Sequence, residues 1–339
     1  MPELAASSGL SAGVRDAVVL WVGRVGDLLV STPVLRSLRR TFPGARVLLV
    51  VGESCGDAAR LIPFVDEIAL YPRLSRPLAA VGLAADLLGR RRDLLIDLNP
   101  SFSKTSAILA LLARAREKLS FRKGRMDSAF TRQVPPAGED EHMLDRYRRL
   151  AEAFGGVFED RLEISLRPEH EDAAGRLLMK AGVRPDKRNV LIHPGNFKKY
   201  DHRWPEEKFA ALTARLLKEP DVRPVFLAGP GEEARVRGII APFGEAVPII
   251  VPGPIGVTAA VTKEFDLAVV NATGTLHLAA AVNTPTFGFY SGYAGKVWKP
   301  RGPGHGGLVS TTWTSCRDIA VDDAFAALRA DLDQLKPKG

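Results

Sequence analysis

The chain has 339 residues and a net charge of +8, with 46% hydrophobic and 25% charged residues, the balance of a globular rather than a disordered protein. Its length favours two domains, and no apolar run approaches the ~20 residues that a membrane-spanning helix needs. The positive charge favours anionic partners, and nucleic acid is the weaker choice because the basic stretches at 90–92 and 114–125 show neither a pattern of aromatic interleaving nor a helix-turn-helix pattern.

The N-terminus and the cysteines narrow the class of protein further. Residues 1–16 lack the positively charged start and apolar block of a signal peptide, so we expect a loose tail and a cytoplasmic protein. Cys55 and Cys316 are the only cysteines and lie far apart, which argues against a disulfide framework or a cysteine zinc site. We expect both thiols to be reduced.

Short apolar strands alternate with amphipathic helices along the first half of the chain, which is typical of parallel α/β units. The pattern predicts strands at residues 17–22, 46–51, 67–71 and 94–98. It predicts helices at residues 34–42, 78–89, 104–115 and 142–154. A strand and a helix are expected within residues 163–182, where Gly182 would end the helix.

After a linker at residues 184–188 the same alternation begins again. Predicted strands occupy residues 189–193, 223–228, 247–251, 267–270 and 286–290. Predicted helices occupy residues 205–217, 232–242, 276–282 and 321–335. Because both halves share the plan of strand, glycine-containing loop and helix, we predict an α/β protein with two doubly wound, Rossmann-like domains that face one another across a cleft.

The domain boundaries follow from this alternation. We place a flexible tail at residues 1–16, a first domain at 17–168, a connecting helix and linker at 169–188, and a second domain at 189–317. Residues 318–339 contain a terminal helix that could pack back on the first domain. Ligands of doubly wound domains bind at the carboxyl ends of the strands, so the loops after the strands are the candidates for chemistry.

The first such loop, residues 23–27, brings a carboxylate to the end of the opening strand. Its glycines allow a sharp turn, and Asp27 is placed to accept a proton from an attacking hydroxyl, as a general base does. The alternative is that Asp27 only caps the following helix, since Asp is a preferred N-cap residue. The loop matches neither GxGxxG nor GxxxxGK[ST], so a dinucleotide-binding or ATP-hydrolysing protein is unsupported.

A second loop, residues 271–277, carries hydroxyls and a glycine at a helix start. Thr273 and Thr275 supply hydroxyls, and Gly274 permits close approach of the backbone. The free N–H groups of the first helical turn favour a phosphate or diphosphate. His277 could donate to the same phosphates, or it could be a histidine whose hydrogen bonds are satisfied beneath the loop.

Two further loops add basic and acidic groups. The loop after the strand at 189–193 begins with His193, which we expect to orient the loop rather than to bind a metal. Its candidate donor-binding residues are Gly195, Asn196, Lys198, Lys199, His202 and Arg203. The two lysines could instead form an exposed loop tip. Glu232 and Glu233 begin a later helix, where they could accept hydrogen bonds from a ribose or a base, or only cap the helix.

The loops after the strands offer no metal-binding motif. No Asp-x-Asp or HExxH element supports a metal site there, so we predict neither a metal site nor a cofactor.

Taken in chain order, these loops resemble glycosyltransferase family 9, the ADP-heptose:lipopolysaccharide heptosyltransferases. The resemblance rests on Arg24-Val25-Gly26-Asp27, Ser31-Thr32-Pro33, Asp97-Leu98-Asn99, His193-Pro194-Gly195, Arg203-Trp204-Pro205, and Thr273-Gly274 with His277-Leu278-Ala279. It covers nearly the whole chain, and the order and spacing of the motifs are more specific than any one of them.

The resemblance implies a GT-B fold, inversion at the anomeric carbon of the sugar and no metal requirement. It implies that Asp27 is the base, that Thr273, Gly274 and His277 hold the diphosphate, and that Glu232 or Glu233 faces the nucleoside. The implied donor is a nucleotide-diphosphate sugar, with ADP-heptose as the family's example.

The implied acceptor is the lipopolysaccharide core or a related phosphorylated glycolipid, bound by the first domain. The basic stretch at 104–125 would meet it at the inner face of the membrane, where we expect peripheral contact. The candidate acceptor-binding residues are Arg24, Asn99, Lys104, Arg122 and Lys123.

Two positions depart from the family pattern. Ala272 stands where the family usually has an acidic residue, so a carboxylate that could bind the hydroxyls of the donor sugar is missing. His202 stands where the family tends to have a lysine, which lowers the positive charge near the diphosphate. Two alternatives to a transferase therefore stay open: a nucleotide-sugar epimerase of the same fold, and a weakly active or non-catalytic nucleotide-sugar-binding protein.

Overall fold

Two parallel β-sheets, one in each of two units, organise the chain. The units are Met1–Asp160 and Arg161–Gly339. The computed structural model describes residues 13–71, 77–184, 186–195 and 203–335. Within these ranges each sheet has six strands, and every paired strand runs parallel to its neighbour. The predicted α/β class with two Rossmann-like domains is confirmed.

The first unit is built around the strand order β3-β2-β1-β4-β5-β6. Its strands are β1 (Asp16–Trp21), β2 (Arg46–Gly52), β3 (Glu67–Tyr71), β4 (Arg92–Asp97), β5 (Ala115–Phe121) and β6 (Arg132–Val134). Its helices are α1 (Val25–Val30), α2 (Thr32–Thr41), α3 (Gly56–Ala59), α4 (Pro77–Gly89), α5 (Lys104–Leu112) and α6 (Met143–Ala153). The strands β1 and β2 are buried on both faces, which is why their sequences are almost continuous apolar runs rather than alternating ones.

Helices cover both faces of this sheet. On one face α4 and α5 pack against each other above a core that includes Leu20, Leu87 and Leu109. Right-handed crossovers place α2 on the opposite face, where it packs with α6. The burial of apolar side chains between helix and sheet is the main source of stability in such a layered fold.

The second unit repeats the plan of the first. Its strands are β7 (Arg188–His193), β8 (Val222–Leu227), β9 (Ile249–Ile250), β10 (Leu267–Asn271), β11 (Thr286–Tyr290) and β12 (His305–Val309). Its helices are α7 (Pro168–Lys180), α8 (Glu206–Leu216), α9 (Glu233–Ile240), α10 (Ile255–Lys263), α11 (Gly274–Ala281), α12 (Gly292–Val297) and α13 (Val321–Gln334). The strand order is β12-β11-β10-β7-β8-β9. Read from β9 and numbered from the first strand of the unit, this order is 3-2-1-4-5-6, the same as in the first unit.

An aromatic cluster fills one side of the second sheet. The Trp204 ring stacks on Phe289 with centroids 3.9 Å apart, and Phe209 meets both rings edge-on. The indole N–H of Trp204 donates to the carbonyl of Ile319 at 2.9 Å, so the buried polar atom of this large side chain has its partner.

The helices near the proposed domain boundaries both belong to the second unit. The helix α7, which we expected to connect the two domains, packs against α10. Gly182 follows the end of α7 with φ +61° and forms the predicted glycine cap. The helix α13 contacts α8 and β12 of the same unit. Arg329 on α13 also pairs with Asp221 at 3.0 Å.

Several elements differ from the sequence predictions. The helix predicted for residues 104–115 ends at Leu112, and residues 115–121 form β5. The strand expected within 163–182 is not formed, because residues 161–167 adopt no regular structure. The strands β6 and β12 and the helices α10 and α12 were not predicted. Cys55 and Cys316 are both buried. Across the described residues, no helix is long and apolar enough to cross a bilayer.

Candidate functional site

In the first unit the loops that follow β1 and β4 begin side by side, because these two strands are neighbours in the sheet. From there the chain continues in opposite directions along the sheet, so the two loops diverge at its carboxyl edge. Ligands of doubly wound sheets bind at such a switch point. Here the backbone N–H of Val22, just after β1, donates to Oδ1 of Asn99, just after β4, at 3.3 Å.

Asp27 lies in the first turn of α1 at this switch point and is half-buried. The N-cap residue of α1 is Arg24, so Asp27 does not occupy the capping position that was its alternative interpretation. Tyr147 of α6 is fully buried, and its hydroxyl has no hydrogen-bond partner among the described residues. Burial raises the pKa of Tyr147 well above its usual value, and the nearby negative charges of Asp27 and Asp97 raise it further.

A buried carboxylate organises the loop after β4. Asp97 Oδ2 accepts hydrogen bonds from Lys123 Nζ at 2.6 Å and from the Ser106 hydroxyl. Asp97 Oδ1 accepts from the backbone and side-chain nitrogens of Asn99, at 3.0 and 2.7 Å. The Lys123 and Asp97 side chains are only 3% and 1% exposed, so the pair is withdrawn from solvent.

This network involves two of the predicted acceptor-binding residues. Lys123 and Asn99 were expected to contact the acceptor, but both are buried and bound to Asp97. Their side chains hold the loop in place and are not open to an acceptor in this structure. Arg24, Lys104 and Arg122 are exposed, and their role in acceptor binding stays a prediction.

The second unit has its own switch point between β7 and β10. Asn271, the buried last residue of β10, donates to the carbonyls of Pro194 and Gly195 at 2.9 and 3.3 Å. Its Oδ1 accepts from the backbone N–H of Trp204 at 2.8 Å. One side chain therefore fixes both ends of the loop that follows β7. We did not assign Asn271 a role from the sequence, although a buried amide at a strand end signals such a clamp.

The loop after β10 presents unused hydrogen-bond donors. Thr273 is the N-cap residue of α11 and makes no side-chain cap hydrogen bond. Its Oγ1 is buried and has no hydrogen-bond partner within the described part of the chain. Gly274 is exposed and Thr275 is partly exposed. A helix N-terminus with free N–H groups and a hydroxyl is suited to an anion.

His277 lies deeper than these residues. It is buried, and its ring centroid lies 5.9 Å from that of Trp298. This position fits the alternative in which His277 is enclosed beneath the loop.

Glu232 is held by His193 at the edge of the same switch point. Its Oε2 lies 2.9 Å from His193 Nε2 and accepts from the Gly229 N–H at 2.8 Å. Burial would raise the pKa of Glu232, but the hydrogen bonds and the charge of His193 outweigh burial and lower it. A Cβ on Gly195 would lie 2.3 Å from the His193 ring, so only glycine fits above this pair.

The remaining donor-binding candidates separate into two groups. Glu233 and Arg203 already have partners: Glu233 bonds to Arg237 one turn along α9, and the buried Arg203 lies 3.0 Å from Glu206. The others lie outside the described residues: Asn196, Lys198, Lys199 and His202. Over the ranges that the structure covers, no group of three or more His, Cys, Asp and Glu side chains could hold a metal ion.

Two Rossmann-like units of identical strand order, each with loops at a switch point of its sheet, define a fold of the GT-B type. A glycosyltransferase family 9 structure from Veillonella parvula matches with a TM-score of 0.78 and 18% identity, covering 94% of this chain and 97% of that one. The structure of E. coli ADP-heptose lps heptosyltransferase II matches with a TM-score of 0.74 and 19% identity, covering 94% and 99%.

Sequence comparison gives the family. The lipopolysaccharide core heptosyltransferase OpsX of Haemophilus influenzae is 22% identical over 285 residues, which is 82% of this chain and 79% of OpsX. The model of glycosyltransferase family 9 (heptosyltransferase) matches residues 81–320, more than two thirds of the chain. The chain belongs to this family and is a glycosyltransferase. Family membership decides against the epimerase alternative.

Proposed function

We propose that this chain is an inverting, metal-independent glycosyltransferase that moves a heptose-like sugar from a nucleotide-diphosphate donor to a glycolipid of the lipopolysaccharide-core type. The observation that carries the proposal is the start of α11. There the buried Thr273 Oγ1 has no hydrogen-bond partner within the described residues and makes no cap hydrogen bond to the helix that it begins. A diphosphate would supply the missing acceptors and the charge that a helix N-terminus favours.

Asp27 is the group that we propose as the general base. It would take the proton from an acceptor hydroxyl while the hydroxyl oxygen forms a bond to the anomeric carbon of the donor sugar. The bond from that carbon to the diphosphate oxygen breaks on the opposite face, which gives inversion. Its half-buried position in the first turn of α1, at the switch point of the first sheet, supports this role.

The leaving diphosphate gains one negative charge as its bond to the sugar breaks, and the second unit would stabilise that charge electrostatically. The proposed donors are the Thr273 hydroxyl and the first N–H groups of α11, held in position by the Asn271 clamp. Preorganised donors of this kind can replace a metal ion, because they need no rearrangement as charge develops. Glu232 would accept from the nucleoside through the carboxylate oxygen that His193 leaves open.

The donor and the acceptor are proposed from the relatives. One similar structure is named an ADP-heptose heptosyltransferase, and OpsX is named a lipopolysaccharide core heptosyltransferase. We propose the same classes of donor and acceptor here, with the exposed Arg24, Lys104 and Arg122 meeting acceptor phosphates. Ala272 offers no carboxylate to the donor sugar, so we expect weaker discrimination between sugars than an acidic residue would give.

A two-stage experiment tests the proposal. Nucleotide sugars are first screened by thermal shift, because a ligand that binds only the native state raises the apparent stability. The best donor is then incubated with and without a deacylated lipopolysaccharide-core acceptor, in the presence and absence of EDTA. We expect transfer only with acceptor, unchanged by EDTA, and a product of inverted anomeric configuration.

Each other outcome has a defined meaning. Donor binding without transfer to any core acceptor would favour the non-catalytic alternative. Loss of transfer in EDTA that added Mg²⁺ restores would contradict metal independence. A product with retained configuration would contradict the single displacement by the acceptor hydroxyl.

A further inference from the structure

The outer surface of the helices α4 and α5 is apolar. In α4 the residues Val81, Ala85 and Leu88 recur at helical spacing and are all exposed. In α5 the same spacing exposes Ile108 and Leu111. We call these five residues the α4–α5 face. The exposed fractions of its large side chains are 65% for Val81, 47% for Leu88, 44% for Ile108 and 54% for Leu111.

The α4–α5 face is not an extension of the core. Both helices bury a different stripe toward the sheet, which includes Leu87 of α4 and Leu109 and Ala110 of α5. Each helix has only one charged residue in its sequence: Asp86 of α4, which pairs with the buried Arg92 at 2.6 Å, and Lys104 at the start of α5. Polar groups that normally cover the outside of a surface helix are therefore missing here.

Basic residues surround this apolar surface. Arg90 and Arg91 follow the end of α4, and Arg114 follows the end of α5. The backbone N–H of Arg114 donates to the carbonyl of Leu87 at 3.0 Å, so the two helix ends lie side by side. All three arginines are exposed, and Lys104 is exposed at the opposite end of α5. The helix dipoles explain the placement of the three arginines, because cations are favourable at the C-terminal end of a helix, but not that of Lys104 at the N-terminal end of α5.

We propose that the α4–α5 face docks on an anionic lipid bilayer, with its apolar side chains at the level of the acyl boundary and the basic residues on the headgroups. An apolar helix surface with cations at its margin has the two features that an interfacial, non-spanning membrane contact needs. A protein partner would need a complementary acidic rim around an apolar centre. The inference goes beyond the sugar transfer proposed above and does not depend on it.

The test is co-sedimentation of the full chain with vesicles. One set contains only phosphatidylcholine, and the other contains phosphatidylcholine with 30% phosphatidylglycerol, each at low salt and at ~0.5 M NaCl, where charges are screened within about 4–5 Å. We expect binding to the anionic vesicles at low salt, with at least about tenfold weaker binding to neutral vesicles or in high salt.

Paired variants separate the two parts of the surface. Val81→Glu with Leu111→Glu adds two charges to the α4–α5 face, and we expect at least tenfold weaker binding to the anionic vesicles. The matched control is Val157→Glu with Met179→Glu. It replaces two apolar side chains outside the α4–α5 face, which are 76% and 78% exposed. It adds the same charge, and we expect at most a small change.

A second pair tests the basic rim. Arg91→Glu with Arg114→Glu is compared with Arg176→Glu and Lys180→Glu, two exposed basic residues of α7. We expect the first pair to abolish the salt-sensitive binding and the second pair to retain most of it.

Two binding results would overturn the inference. In the first, the chain would fail to sediment with anionic vesicles at low salt. In the second, the α4–α5 variants would bind no more weakly than their charge-matched controls. A third contradicting result is a wild-type dimer, seen by analytical ultracentrifugation, that Val81→Glu with Leu111→Glu converts to monomers, because the face would then be covered by a second copy. These experiments measure only vesicle binding and molecular mass. A negative result in them would therefore contradict the docking proposal without contradicting the proposed sugar transfer.

Discussion

The buried ion pair between Lys123 and Asp97 gives the sharpest prediction for the first unit. Substitution of Lys123 by methionine keeps the length and the apolar part of the side chain but removes its charge. The carboxylate of Asp97, 1% exposed, would keep the hydrogen bonds from Asn99 and Ser106 but lose the cation at 2.6 Å. Removal of one partner from a buried pair typically costs about 3–5 kcal/mol, because the other charge stays buried.

Hydrogen–deuterium exchange of the full chain measures this cost within the first unit. With about 1.4 kcal/mol per factor of ten, we expect amides of β1 and β4 to exchange roughly a hundred to several thousand times faster in Lys123→Met. The amides of β7 and β10 in the second unit serve as the internal reference. The matched control is Lys104→Met, which removes an exposed lysine and should change exchange by less than about threefold.

A double substitution tests the cause. In Asp97→Asn with Lys123→Met neither charge remains, so the loss of protection should be clearly smaller than the sum of the single effects. If Lys123→Met exchanges within threefold of the wild type, or if the two effects simply add, the ion pair does not hold the loop after β4 and the reasoning is wrong.

Three further predictions concern the second unit. Asn271→Ala should lower the free energy of unfolding in urea by about 1–3 kcal/mol, because the Trp204 N–H and the Pro194 carbonyl lose a buried partner. An unchanged unfolding midpoint would contradict the role of Asn271 in holding the loop. Thr273→Val should leave the melting temperature unchanged or raise it, because the substitution removes a buried hydroxyl that has no partner within the described residues. The affinity for the donor should fall about tenfold or more. An unaltered affinity would argue against a diphosphate at this position. Glu232 has a lowered pKa when folded, so its contribution to stability is present above its unfolded pKa of about 4.5 and is lost as the pH falls through the lower folded value. The melting-temperature difference between wild type and Glu232→Gln should therefore be larger at pH 7 than near pH 3, and a constant difference would contradict the lowered pKa of Glu232.

The elements that the sequence predicted well are those with an uninterrupted apolar run. The strand β2 was expected at residues 46–51 and is formed by Arg46–Gly52, because a strand buried on both faces needs apolar residues at every position. The strand β5 was missed since its sequence, AREKLSF, is charged in its first half and reads as a basic surface stretch. Its pairing between β4 and β6 comes from topology, which local periodicity does not record.

The candidate site was predictable in its loops but not in its side-chain partners. The positions of Asp27 and Thr273 followed from the pattern of strand, glycine loop and helix. The ion pair of Lys123 was not predicted, because its partner Asp97 lies 26 residues earlier in the chain. The pairing of His193 with Glu232 spans 39 residues in the same way. Such contacts depend on which strands become neighbours, so one sequence alone does not specify them.

The most direct test of the central claim is the transfer rate of Asp27→Asn, measured with the donor chosen by thermal shift and a core-type acceptor. Asparagine keeps the shape of the side chain but cannot take up a proton. We predict an unchanged donor-induced thermal shift and a kcat at least about a hundredfold lower, the smaller end of what general base catalysis contributes. The matched control, Asp57→Asn, removes an exposed carboxylate of α3 and should keep the wild-type kcat. Transfer by Asp27→Asn at the wild-type rate would contradict the account.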